Sequence, residues 1–386
     1  MREKILPAFL FLGLVAFPFG QLAVLPLPFD GARLLWLDLF VFSFTFVFLF
    51  FSFLSKQRLI RSSLFWPGLG FLTIATLSLS VNLSGLEFNS SLIAFFYLLR
   101  LGTYFFFYLS LVNQKLFRKQ ALTCFLKTIG LSVALFGLVQ YFFWPDLIAL
   151  KYLNWDDHYF RLISLFLDPN FTGIILIFTF ILFHFDKDKW LMNKNIVLAI
   201  LLLSISLTYS RSTFLSLFAV GLVGAIAFKK IKLLLLITGF LLLSISFLPR
   251  SPGGEGVKLG RTYSINARIE TTKEAIEIFK KKPFLGIGFN TYRYRRQTDY
   301  LKEASSRAGG GTDNSFLFVL ATTGIVGFLG FIFLGEKALF LSFREKEKII
   351  FLSLVALGIH CLFVNSLFYP WVMFWLAILF STRKNS

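Results

Sequence analysis

Charge is scarce in this chain of 386 residues. Only 15% of them are Asp, Glu, Lys or Arg, against 56% hydrophobic, and the mean hydropathy is +0.74. Soluble domains carry roughly 25% charged residues, so a water-facing globule is excluded and an integral membrane protein indicated. Acids are scarcer than bases: 20 Asp and Glu face 39 Lys and Arg, a net charge of +19. Cysteine is nearly absent. Cys124 and Cys361 lie inside apolar runs, which excludes a disulfide framework and cysteine metal spacing. There is no Gly-x-x-x-x-Gly-Lys phosphate loop and no His-Glu-x-x-His, which excludes those nucleotide and zinc chemistries. No clear internal repeat supports a transporter built from duplicated halves. Asp156-Asp157-His158 are adjacent, and adjacent residues rarely converge on one ion, so they read as a solvated loop. Asp186-Lys187-Asp188 reads as a short charged turn. No metal and no cofactor are expected.

What is abundant is apolar sequence in long runs. A spanning helix needs about 20 apolar residues. Twelve candidates appear: 5–25, 34–54, 64–83, 91–112, 121–143, 171–185, 195–209, 212–228, 231–248, 315–334, 349–367 and 369–381. The runs are continuous rather than alternating, which argues against strands. The fold class expected is an all-α integral membrane protein with one large extracytoplasmic loop. The N-terminal run resembles a signal peptide without a small-x-small cleavage site and reads as an uncleaved first span.

Orientation follows from Lys and Arg in the short loops. With Arg2 and Lys4 inside, the inner loops carry Lys56, Arg58 and Arg61; Lys115, Arg118 and Lys119; Lys187, Lys189 and Lys194; Lys229, Lys230 and Lys232; and Lys337, Arg344, Lys346 and Lys348. Arg383 and Lys384 follow the last span. The short outer loops carry few bases, so both termini are expected in the cytoplasm. About half of the basic residues are thereby explained by anionic inner-leaflet lipid rather than nucleic acid. The organisation expected is a nine-span bundle over 1–248, a basic outer loop over 249–314 and three spans over 315–386, forming one structural unit.

The outer loop holds thirteen of the 39 Lys and Arg but only seven acids. Ile265, Ile269, Thr272, Ile276 and Phe279 recur at helical spacing, which predicts an amphipathic helix over 265–282 lying on the membrane surface or across the bundle. Lys280, Lys281 and Lys282 suit its negative end, and Pro283 stops it. Arg268 falls in its first turn, where a cation is either tolerated or aimed at an anion. Gly286-Ile287-Gly288 signals a tight turn. Elsewhere, Asp168-Pro169-Asn170 is turn chemistry with Asn170 a candidate N-cap. Arg211 sits at an outer boundary, either snorkelling to headgroups or meeting an anion. Arg100 lies midway along the fourth span, where an Arg costs about 2.5–3.5 kcal/mol on insertion scales. It therefore needs a partner, structural or substrate.

Four stretches together resemble the O-antigen ligase and polymerase family of bacterial envelopes. They are Arg161 through Asp168-Pro169-Asn170; Tyr209-Ser210-Arg211; Arg268 leading to Lys282-Pro283-Phe284-Leu285-Gly286-Ile287-Gly288; and Asp313-Asn314 followed, after nine residues, by Gly324-Ile325-Val326-Gly327. The family carries His where this chain has Asp313. The resemblance covers most of the chain and implies transfer of a glycan from undecaprenyl pyrophosphate to a sugar or protein hydroxyl, outside the cytoplasmic membrane of a bacterium and without metal. It implies that Arg211 and Arg268 bind the pyrophosphate, with Arg161, Arg261, Asn314 and Arg100 as further candidates for substrate binding. Arg suits this role because its planar fork matches phosphate oxygens. It implies Asp313 as the base, although Asp313 at a helix start could equally be an N-cap. If it is a cap, Asp168 and Asp157 are the nearest alternative bases by chemistry. Alternatives to a ligase are a glycan polymerase or protein O-oligosaccharyl ligase on the same scaffold, or, from another class, a lipid or polysaccharide exporter without catalysis.

Overall fold

The computed structural model describes residues 11–26, 33–56, 59–114, 119–153, 155–156, 158–188, 190–248, 255–260, 262–300 and 311–383. These residues are helical throughout, apart from connections that hold two short antiparallel strand pairs. The order is α1 (residues 11–16), α2 (Trp36–Leu54), α3 (Phe65–Val81), α4 (Phe88–Val112), α5 (Lys119–Phe143), α6 (Pro169–Phe185), α7 (Lys194–Leu207), α8 (Arg211–Phe228) and α9 (Ile231–Phe247). Next come α10 (Tyr263–Lys281), α11 (Tyr292–Tyr300), α12 (Ser315–Arg344), α13 (Lys348–Cys361) and α14 (Pro370–Ser381). Five of them, α2, α4, α5, α8 and α12, are long and apolar enough to cross a membrane, and six more are apolar helices of 10–17 residues. This is a multi-pass membrane protein.

The expected apolar segments correspond to helices, with instructive departures. The first run does not stay helical to residue 25. It leaves the helix after 16, turns through Gly20–Leu22 and enters β1 (Val24–Pro26), which pairs with β2 (Arg33–Leu35). Pro18 and Pro26 cannot continue a helix, and Gly20 takes φ +55 against the Leu165 carbonyl. Residues 5–10 of that run lie outside the described residues. The eleventh segment ends at Cys361 and turns through 362–369 before α14. A second strand pair, β3 (Asp146–Leu147) with β4 (His158–Tyr159), stiffens the connection before α6.

At the centre stands α6, whose residues from Ile174 to Phe183 are almost entirely buried. A helix apolar on every side belongs in the middle of a bundle. It contacts α5, α7, α8 and α13. Gly173 lets α8 approach closely, because a methyl group there would overlap Thr213 Oγ1 at 2.1 Å.

Contacts between helix ends gather at two faces of the bundle, with α12 and α13 each running from one to the other. At one face meet the starts of α6, α8 and α12 and the end of α13. At the other, Lys119 pairs with Glu347 at 3.4 Å, Arg383 pairs with Glu345 at 3.3 Å and reaches Ser63, and Lys127 pairs with Asp186 at 2.6 Å. Arg100 belongs to neither group. Its Nη2 donates to Asp38 Oδ2 at 2.5 Å and to the Arg33 carbonyl, while the Tyr104 hydroxyl donates to Asp38 Oδ1. This joins α4 to α2 by a buried ion pair, and breaking such a pair by removing one partner costs about 3–5 kcal/mol.

The feature that fixes the polar stretch to the bundle is a break in α12. Gly324 leaves the helix (φ 65, ψ −168) and interrupts the ladder that would join Ile325 N to Ala321 O and Val326 N to Thr322 O. The loop after α10 fills the gap. Ile287 N donates to Ala321 O at 3.1 Å and Gly288 N to Thr322 O at 3.0 Å. In return, Ile325 N donates to Pro283 O at 2.8 Å and Val326 N to Phe284 O at 3.3 Å. From α3, Ser78 Oγ donates to the carbonyls of Leu285 and Thr322, and Asn82 Nδ2 donates to the carbonyl of Gly286. The Gly-x-Gly read as a tight turn is therefore a splice into a membrane helix. Gly286 (φ +66) and Gly324 face each other with no room for a side chain: added methyl carbons would sit 2.4 Å from the Thr322 carbonyl carbon and 2.2 Å from the Phe284 carbonyl oxygen.

The amphipathic helix exists as α10, but its buried face is not the isoleucine stripe. Ala275 and Ile278 pack with Ile287, Phe289, Tyr292, Phe318 and Ala321, whereas Ile265, Ile269 and Ile276 are exposed. The helix lies across α12 with one face and turns its stripe away from the protein. A second polar helix, α11, follows in the loop, where sequence reading expected one helix alone. Its Arg295 donates to the carbonyls of Asn82, Ser84 and Gly85.

Gly324→Ala should lower the unfolding free energy of the detergent-solubilised protein by about 2 kcal/mol or more, from backbone strain and the overlap with Phe284. Gly335→Ala in the same helix, with no atom within 4 Å, should be neutral or better. Thermal unfolding of the two variants side by side measures the difference.

Candidate functional site

The site is built from helix starts. A three-residue turn joins α7 to α8. Thr208 and Ser210 are fully buried, and Tyr209 takes φ +50 with its side chain buried. Ser210 caps α8, its Oγ accepting from Thr213 N at 3.3 Å, which makes Arg211 the first helical residue. Arg211 Nη1 donates to the carbonyl of Leu259 at 3.3 Å, so the start of α8 and the outer loop meet there. Beside this contact lies a cavity of about 240 Å³ between Tyr209, Ile245, Leu248 and residues 257–260, lined mainly by apolar atoms.

Arg268 and Asp313 face one another across the loop, Nε to Oδ2 at 3.8 Å. That is an ion pair too long for a hydrogen bond, between side chains 26% and 44% exposed. Such exposed pairs are worth about 0–1 kcal/mol and are easily exchanged. Arg268 is not in the first turn of its helix, as expected from sequence, but in the second, because α10 starts at Tyr263. Thus no dipole penalty bears on it. Arg268 also lies within electrostatic reach of Arg211, as does Asp156 of Asp313. Two guanidinium groups held together repel, and an anion between them removes that repulsion. Burial pushes the Asp313 carboxyl above its usual range; the Arg268 charge opposes this and the Asp156 charge adds to it.

The other expected residues take distinct places. Asn314, not Asp313, caps α12: its Oδ1 accepts from Phe316 N at 2.8 Å and Leu317 N at 3.1 Å, and its Nδ2 donates to the carbonyl of Leu362. Likewise Asp168, not Asn170, caps α6, accepting from Asn170 N at 2.6 Å and Phe171 N at 3.0 Å. Pro169 at the first helical position suits this start. Arg161 is buried, donates from Nε to the carbonyl of Thr208 at 3.0 Å, and lies within electrostatic reach of Asp168. It braces the turn that carries Arg211. Arg100 is committed to Asp38. Arg261 and Asp157 lie outside the described residues. His158 is buried while Asp156 is exposed, and among the described residues no group of three His, Cys, Asp or Glu could hold a metal ion.

Sequence reading missed a polar layer beneath the arginines. His360 near the end of α13 meets Ser212 Oγ with Nε2 at 3.3 Å and Ser366 Oγ with Nδ1 at 2.7 Å. Ser210 and Ser212 both reach Asn170 Oδ1, at 2.7 and 3.4 Å. Ser315 Oγ, at the start of α12, donates to Asn365 Oδ1 at 3.0 Å. A single His in an apolar run, with serines at the starts of two helices and in the turn after a third, gives no local signal. Only the fold brings them together.

No curated protein matches the chain. Residues 196–332, about a third of the chain, match the family model described as O-antigen ligase. The matched segment contains Arg211, Arg268, Asp313, Asn314 and both glycines of the Gly324–Gly327 motif, and leaves Arg100, Arg161, Asp168 and His360 outside it. This segment is thus similar to an O-antigen ligase domain, a family of glycan-transfer enzymes.

Proposed function

We propose that the protein transfers a glycan from an undecaprenyl-pyrophosphate donor to an acceptor hydroxyl at the outer face of a bacterial cytoplasmic membrane. The observation that carries this reading is the convergence of Arg211, Arg268 and Asp313 at one end of the bundle, two cations and one carboxylate drawn from three separate elements. In the reaction, the acceptor oxygen attacks the anomeric carbon and the bond from that carbon to the pyrophosphate oxygen breaks. The hydroxyl proton passes to Asp313, and undecaprenyl pyrophosphate leaves with the bonding electrons. Arg211 and Arg268 stabilise the charge that grows on the leaving group. A positioned base contributes about 10²- to 10⁴-fold. Because the ion pair of Arg268 with Asp313 is long and partly exposed, donor oxygens can take the guanidinium and leave the carboxylate to the acceptor.

The twelve apolar segments act as spans, both termini are cytoplasmic, and the loop over 249–314 is extracytoplasmic. The gathering of helix-end contacts at two faces supports this, as do the Lys and Arg contacts at the face opposite the site. The hydrogen bonds between the loop and α12 support treating 1–248, 249–314 and 315–386 as one unit. The O-antigen ligase match speaks against an exporter without catalysis. A ligase and a polymerase differ only in acceptor, whether lipid A core sugar, another glycan or a protein. Incubation with defined lipid-pyrophosphate oligosaccharide and a panel of acceptors identifies which hydroxyl becomes glycosylated.

In a Cys124→Ser background, cysteine at Tyr152 should react with an impermeant maleimide on intact cells, and cysteine at Leu191 should not. Both side chains are exposed, on connections at opposite faces. The reverse pattern would overturn the orientation.

Arg211→Ala and Arg268→Ala should each lose turnover by about 10²-fold or more with unfolding temperature unchanged, and Lys at either position should recover part of it. Near-normal rates in both Ala variants would remove the pyrophosphate role.

Asp313→Asn should abolish turnover and spare donor binding and stability, since the cap belongs to Asn314. Asp313 must be ionised to accept a proton, so the rate should fall as pH drops through its raised value. Asp313→His should retain some activity and move that acid limb upward, towards the histidine value of about 6.5. A pH–rate profile unchanged by the His substitution would exclude Asp313 as the base.

A further inference from the structure

We infer that His360 is a positioning residue for the transfer reaction: from beneath the site it sets the start of α8, and with it the aim of Arg211. This rests on the pyrophosphate role proposed for Arg211. His360 is fully buried, with both ring nitrogens on serine hydroxyls, so it does not meet substrate. Its neighbours are the parts that fix Arg211. Ser212 immediately follows Arg211, and Ser210 immediately precedes it as the cap of α8. The two hydroxyls lie 3.0 Å apart and both point to Asn170 Oδ1.

The proton directions follow from donors and acceptors. The amide oxygen of Asn170 only accepts, so Ser210 and Ser212 donate to it. Ser212 then accepts from His360, which places the ring proton on Nε2 and leaves Nδ1 to accept from Ser366. This tautomer is assigned from the network. One chain of hydrogen bonds thereby runs from the turn after α13, through α8, to the second residue of α6. The same turn holds the start of α12, since Asn314 Nδ2 donates to Leu362 O and Ser315 Oγ donates to Val364 O at 3.4 Å. The base candidate and one of the two arginines are in this way referred to a common element. An imidazole between two hydroxyls is a rigid spacer, and a displacement of about 1 Å at a catalytic group can cost about 10²-fold.

The test measures steady-state transfer from a lipid-pyrophosphate oligosaccharide in the full-length protein. His360→Ala should lower kcat by about tenfold or more while acceptor KM stays within about twofold, at a retained unfolding transition. His360→Gln, whose amide can bridge the two hydroxyls, should recover much of that loss. Ser212→Ala removes the middle link and should match His360→Ala, with no further loss when combined. In an Arg211→Lys background, which keeps measurable turnover, His360→Ala should add less than about threefold, because residues acting through one another are not additive. A full tenfold loss there, or normal turnover in both His360→Ala and Ser212→Ala, overturns the inference. If His360→Ala does not fold, His360→Gln and Ser212→Ala decide it alone. Normal turnover in Arg211→Ala would instead overturn the pyrophosphate reading, a distinct outcome.

Discussion

A peptide group buried in a membrane protein has to find its hydrogen-bond partner within the protein, and α12 satisfies this demand in an unusual place. Its ladder is cut at Gly324, inside a helix wall where Ala321, Thr322 and Thr323 are fully buried. Each unpaired group there costs several kcal/mol. Four bonds to residues 283–288 replace the two that are lost, and α3 adds side-chain donors from Ser78 and Asn82. The site depends on this repair. It fixes the C-terminal end of α10 against α12, so Arg268 near one end of α10 and Asp313 at the start of α12 are set in register by backbone bonds rather than by a loose loop.

A second consequence of pairing is seen in helix length. α7, α13 and α14 have 14, 14 and 12 residues, short of the roughly 20 that span a bilayer. Of these, α7 and α13 stop where the polar layer of Thr208, Ser210, Ser212, His360 and Ser366 begins, and this layer lies inside the bundle, with every member buried. Irregular backbone is tolerated at that depth because side chains and neighbouring turns occupy its donors and acceptors. The polar layer is thus buried just inside the helix starts that carry Arg211 and Asp313.

Much of this was legible in the residues. Apolar runs gave the helices because burial and lipid impose the same composition. Arg211, Arg268 and Asp313 stood out because each motif keeps its spacing within one stretch. The isoleucine stripe revealed α10 but not its contact with α12, which Ala275 and Ile278 make on another face while the stripe turns outward. The N-caps were displaced, with Asp168 and Asn314 doing what Asn170 and Asp313 were candidates for, because Asx residues in a row all satisfy the pattern and only backbone geometry chooses among them. His360 and the splice at Gly324 left no local trace. Both depend on pairs of residues that lie far apart in the chain, as Gly286 and Gly324 do.

The order of the splice along the chain bears on how the protein is made. Residues 283–288 precede 321–326, so during synthesis the loop is complete before the broken helix leaves the ribosome. When the first half of α12 settles among its neighbours, the segment that completes it is already tethered by α10 and can close over the break at once. Were the order reversed, the gap would wait, unpaired, for a partner yet to be translated. A fragment ending between residue 288 and the start of α12 would carry a splice with nothing to join. The arrangement of Arg211, Arg268 and Asp313 is therefore complete only once translation has passed α12 and reached the turn after α13.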